Sequence, residues 1–107
     1  MDTRRRRGGG DEMLRTPANQ TRLDILEWLK DPAAHFPARR HGDPARDGVT
    51  ARAVAVKLGV PRSVAETHLG LLVDIGLLRT RRVRWRTYYR RDEMRIAEVA
   101  RMFEKGW

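Results

Sequence analysis

TARAVAVKLGVPRSVAETHLGLLVDIGLLRTRRVRWRTYYRR, residues 50–91, decides the architecture. Three kinds of local order follow one another in it. In TARAVAVKL (50–58), Thr50 is a capping residue and Val54, Ala55 and Leu58 share one helical face. Gly59 follows where a helix stop takes a positive φ. Pro61 suits the first turn of a second helix, where a missing N–H does no harm. That helix is expected to run to about Ile75, with Ala65, Leu69, Leu72 and Ile75 recurring inward at the helical period. Gly76 ends it. Beyond it, β-formers alternate with arginines over about 78–83 and 86–90, with Arg84-Trp85 as the turn. This is a hairpin pattern, although the Asn-Gly or Asp-Gly signal of a two-residue turn is missing.

Two helices across a glycine turn form a helix-turn-helix (50–76), and a hairpin beside the second helix (77–91) forms a wing. The fold class is therefore mainly α with a small β-hairpin wing: a winged helix-turn-helix. The second helix is the element able to lie in a major groove, with its N-terminal residues near base edges. Arg62 can donate to guanine, Ser63, Thr67 and His68 carry donors or acceptors, and Val64 can touch a thymine methyl. The hairpin holds seven arginines and no acid over residues 79–91. So many like charges repel one another unless a polyanion or solvent screens them. Arg81, Arg82, Arg84 and Arg86 are the wing candidates for phosphates or the minor groove. A solvated charged edge that resists aggregation is the plainer alternative.

Outward from this unit, TRLDILEWLK gives a helix to about Lys30, capped by Asn19 or Thr21. Leu23, Ile25, Leu26, Trp28 and Leu29 cover its apolar side. Asp31-Pro32 ends it. Residues 31–48 show no apolar period and read as a long loop, with a very short strand at Val49. DEMLRT (11–16) allows one helical turn before Pro17, and MDTRRRRGGG (1–10) reads as a disordered tail. Asp92-Glu93 opens a last helix over 92–105, where Ile96, Val99, Ala100 and Phe103 form a stripe. The domain proper is expected to span 11–107.

The charge agrees with a polyanion partner. The 107 residues carry 23 Lys and Arg against 14 acids, a net +9. The tail supplies +3 (Arg4 to Arg7 against Asp2), so the remainder is still strongly basic. The chain has no cysteine, which excludes disulfides, thiolate metal sites and cysteine nucleophiles. No apolar run reaches the ~20 residues that span a bilayer. No apolar segment follows the arginine run as in a secretory signal, so the expected compartment is the cytoplasm.

The stretch from Thr21 to Asp92 resembles the ArsR-type winged-helix repressors. TRLDILEWL (21–29) is similar to the family's second helix, VAVKLGVPRSVAETHLGLLVDIGLL (54–78) to its helix-turn-helix, and RTRRVRWRTYYRRD (79–92) to its wing. The resemblance implies cytoplasmic transcription control by a homodimer at a double-stranded DNA operator with two half-sites. It also implies dimerisation by the terminal helices, here Leu14 with Ile96, Val99, Ala100 and Phe103. Four features depart from the family pattern. Glu66 stands where Ser is usual, Gly70 where Lys or Arg is usual, the wing tip lacks its Gly, and the first helix is short.

The metal-binding signatures of such proteins, a Cys pair or Asp and His on the last helix, are absent. His35 and His41 are the remaining metal candidates, and plain loop residues are the simpler reading. No cofactor and no enzymatic activity are expected, since no nucleophile set or phosphate-binding loop is present. The alternatives to a repressor are a winged-helix module binding a protein or RNA, and a DNA-bound activator working with a separate effector or sensor protein. A third is a polyanion or membrane-surface binder acting through the tail.

Overall fold

The computed structural model describes residues 18–37 and 43–104. Its elements run α1 (Ala18–Lys30), α2 (Pro32–His35), α3 (Pro44–Asp47), α4 (Ala51–Leu58), α5 (Arg62–Asp74), β1 (Leu78–Val83), β2 (Arg86–Arg91) and α6 (Glu93–Glu104). The strands pair antiparallel, from Leu78 opposite Arg91 to Val83 opposite Arg86. This is a mainly helical fold with a two-stranded hairpin, compatible with a winged helix-turn-helix.

The helix-turn-helix forms as its local chemistry demands. Thr50 Oγ1 accepts from the Ala53 amide at 3.2 Å, which caps α4. Gly59 stops α4 in the left-handed region (φ 72°, ψ 35°), and its N–H returns to Ala55 and Val56. Pro61 sits one residue outside α5, as its N-cap, and Arg62 opens the helix. Ile25 of α1, Val54 of α4 and Leu69 of α5 are fully buried, so three helices meet at one point. Leu78 and Tyr88 carry that core to the base of the hairpin.

Several expectations are corrected. Thr21 does not cap α1 but lies inside it, buried with Ile25 and Leu29, because a spacing of four keeps these three on the inner face. Leu23, two residues off that stripe, is 58% exposed. Ile75 is the C-cap of α5 and 49% exposed, since the chain leaves helical geometry there. The connection 31–48 is no plain loop among the described residues. Asp31-Pro32 and Asp43-Pro44 each start a single helical turn, and Asp43 accepts from the Ala45 amide. Phe36 between them is buried, edge-on to Trp28 at 6.4 Å, a core residue that periodicity could not reveal. The proposed turn at 11–16, the tail and Leu14 lie outside the described residues.

Val49 does pair with β2: its amide donates to the Tyr89 carbonyl at 3.0 Å and its carbonyl accepts from the Tyr89 amide at 2.8 Å. Gly48 makes this approach possible. Its φ is 98° and its ψ −172°, a glycine-only conformation. A Cβ there would stand 2.8 Å from both Arg90 Cγ and Tyr89 O. Gly48→Ala is therefore expected to lower stability by about 1–3 kcal/mol. A thermal melt reads this as a drop of roughly 5–20 °C, and an unchanged midpoint refutes it.

Candidate nucleic-acid interface

α5 begins without a capping side chain, and the Val64 amide of its first turn donates to the Pro61 carbonyl at 3.0 Å. Its outer face at this end carries Arg62, Ser63, Glu66 and Thr67, all exposed, while Ala65 and Leu69 anchor the inner face. Arg62 Nε donates to Glu66 Oε2 at 3.0 Å. Thr67 Oγ1 donates to the Ser63 carbonyl at 3.0 Å, a back-bond that occupies its hydroxyl proton within the helix. Val64 and His68 are half-buried. A Cβ added at Gly70 would meet nothing within 4 Å, so packing does not demand glycine there.

A groove of about 690 Å³ separates this helix end from the wing. Arg52, Arg62 and Glu66 stand on one wall, Arg82, Trp85 and Arg86 on the other, with Tyr89 between. Four cations thus face one channel with a single carboxylate among the described lining residues. Trp85 is 74% exposed at the wing tip. Arg84 makes the turn with a positive φ of 59°, unusual for a side chain with a Cβ, and its carbonyl accepts from Arg82 Nε. The missing glycine signal is explained: an arginine takes the left-handed position instead.

The structure brings Arg62, Arg82 and Arg86 together and leaves Arg81 apart. Arg81 does not line the groove, although strand alternation puts it on the same hairpin face as Arg86, opposite to Arg82. Its charge acts on Asp47, whose carboxyl is held below its ordinary value mainly by the Arg46 hydrogen bond. Sequence reading missed Arg52. The available signal was its place in the first turn of the helix before the turn, an end that crosses the phosphate backbone in such folds. Ser63, Val64, Thr67 and His68 lie along the helix outside the groove. His68 turns Nδ1 into a buried spot where no partner meets it. Burial first, and the Arg22 charge second, hold the imidazole below its ordinary 6.5, so at neutral pH it brings no positive charge to the surface. Burial also raises the Tyr89 phenol, and the nearby Glu66 carboxylate adds to the shift.

One wing arginine serves the fold. Arg91 is only 13% exposed at its side chain and grips Glu93 with two nitrogens, at 2.8 and 3.0 Å. Its Nη1 donates to the Leu26 carbonyl of α1 at 2.9 Å. It ties the foot of the wing to α1. Arg91→Ala is expected to cost about 1.5–3 kcal/mol in chemical denaturation, because a charged hydrogen bond from a largely buried side chain to α1 is lost. If stability holds while polyanion binding falls, this assignment is wrong.

Among the described residues, His35 is half-buried at the end of α2, and no three potential ligands gather into a metal site. His41 lies outside them. No described helix is long and apolar enough to cross a membrane. α6 is capped by Asp92, which accepts from the Arg95 amide at 3.0 Å. None of its residues is buried: Ile96 and Val99 are half-buried, while Ala100 and Phe103 are exposed.

No family model matches the chain. It is similar to the uncharacterized HTH-type transcriptional regulator YbzH of Bacillus subtilis (strain 168), with 36% identity over 89 residues. These cover 83% of this chain and 89% of that protein.

Proposed function

This chain belongs to the HTH-type transcriptional regulators, and from that premise we propose that it acts as a homodimeric repressor of the ArsR type. Its target is a double-stranded DNA operator with two half-sites. The carrying observation is the groove in which Arg52 and Arg62 face Arg82 and Arg86. Its four arginines suit a phosphate backbone passing between recognition helix and wing.

In this reading α5 enters the major groove. Arg62, Ser63, Val64 and Thr67 approach base edges, with His68 further along the helix. Arg52, Arg82 and Arg86 hold phosphates along the channel. Arg84 and Trp85 at the wing tip reach the adjacent minor groove, and Arg81 meets the backbone on the wing's outer side. Arg62 stands in the first turn of α5, where a cation opposes the helix dipole by roughly 0.3–1 kcal/mol. A residue placed against the stability of its own helix is best accounted for by a ligand that needs it there. The apolar stripe of α6 (Ile96, Val99, Ala100, Phe103) supplies the dimer contact, which sets the spacing between two half-sites. Occupying a promoter then blocks transcription.

The test is binding to the promoter DNA of the protein's own genomic neighbourhood against scrambled duplex, over a salt series. The expected result is a preference on the order of 10³-fold or more, with log affinity falling steeply against log salt. Equal and weak binding to both duplexes defeats the proposal.

A further inference from the structure

The Arg62–Glu66 ion pair stands at the mouth of the groove, yet it does little for the fold. Its side chains are 68% and 48% exposed, and such pairs contribute little to stability. Its order is also the weaker one on a helix, with the acid C-terminal to the base. A carboxylate in a channel lined by four arginines weakens attraction for phosphate. On grounds of stability and of general DNA affinity alike, Glu66 is badly placed.

The geometry gives it another use. Glu66 takes the Nε edge of the guanidinium at 3.0 Å. Nη1 and Nη2 form no hydrogen bond among the described residues, so the two-nitrogen end of Arg62 is left pointing onward. That end matches the O6 and N7 acceptors of guanine in the major groove. An unheld arginine at the helix start rotates among many rotamers and reaches phosphates as readily as bases. One biased toward a single arrangement by a nearby carboxylate has less of that freedom left to lose on binding.

We infer that Glu66 is a specificity-determining residue that positions Arg62 to read one guanine in each half-site, trading general affinity for selectivity. This rests on the DNA-binding reading above and deepens it.

The test is selection of duplexes from a randomised library by the full chain as wild type, Arg62→Ala, Glu66→Gln and Glu66→Ala. Each is checked for unchanged folding by circular dichroism. Wild type is expected to select a motif with one fixed guanine per half-site. Arg62→Ala flattens that position. Glu66→Ala flattens the same position, reducing guanine preference on the order of tenfold. Glu66→Gln, which keeps an acceptor oxygen, falls between. Binding of the Glu66 variants to scrambled duplex stays equal or rises a few-fold, which loss of fold cannot produce. The inference is overturned if Glu66→Ala keeps the guanine preference. It is equally overturned if that variant alters a different position, since Glu66 would then read a base itself. A wild type that selects a motif with no position answering to Arg62 sinks the inference alone. A wild type that selects no motif sinks the regulator reading and the inference together.

Discussion

Replacing Ile96 and Val99 of α6 with aspartate is expected to turn a dimer into a folded monomer and to lower affinity for a two-half-site DNA by roughly 10²–10⁴-fold. Ile96 and Val99 are half-buried, and no residue of α6 is buried. Their apolar surface therefore contributes little to the isolated domain, whose core lies around Ile25, Val54 and Leu69. Paired with a second copy, the same surface would leave water and favour association at about 25 cal/mol per Å². Two charges introduced there would be buried without partners, which association cannot tolerate. Once the dimer is lost, each half-site binds alone, and the gain from linking two binding events disappears. Light scattering reports the mass, and a thermal melt shows that the domain stays folded. A wild-type chain that is monomeric at micromolar concentration, or a variant that remains dimeric, removes α6 from this role.

Alanine at Arg82, Arg84 and Arg86 together is expected to lower affinity for any duplex by roughly 10²-fold or more, and to cut the slope of log affinity against log salt by up to about 3 for each protomer bound. Each phosphate neutralised releases counterions worth about 0.9 in that slope. The loss is shared by operator and scrambled DNA, because phosphate contacts carry no sequence information directly. This separates the wing from Arg62, whose removal weakens discrimination. The three side chains are exposed, and the Arg82 Nε bond to the Arg84 carbonyl is a surface contact. Thermal stability is therefore expected to hold, or to rise as self-repulsion eases. Arg91→Ala behaves in the opposite way, losing stability and leaving the salt slope intact. A triple variant with an unchanged slope places the DNA path away from the wing.

Much of this layout is written in local sequence, because its causes are local. Thr50 caps the helix it precedes, Gly59 and Gly76 take positive φ where the helices end, and β-formers alternate with arginine on either side of Arg84-Trp85. Each needs only a few neighbours to act, so the helix-turn-helix and hairpin were legible residue by residue. The net charge of +9 is likewise a property of the sequence alone.

What the sequence could not determine depends on residues distant in the chain. Seven wing arginines look alike as letters. Only the packing of the hairpin against the helices puts Arg82 and Arg86 on the groove and leaves Arg81 off it, and only the approach of α1 makes Arg91 a clamp on the Leu26 carbonyl. Phe36 has no apolar period around it, and it becomes core because Trp28 stands beside it. Arg52 lines the groove together with Trp85 of the wing tip, a residue far from it in the chain. Periodicity and capping are decided within one or two helical turns, and those the sequence determined by itself. Which charge meets which neighbour is decided where separate elements pack, because only there do burial and Coulomb forces distinguish one arginine from the next.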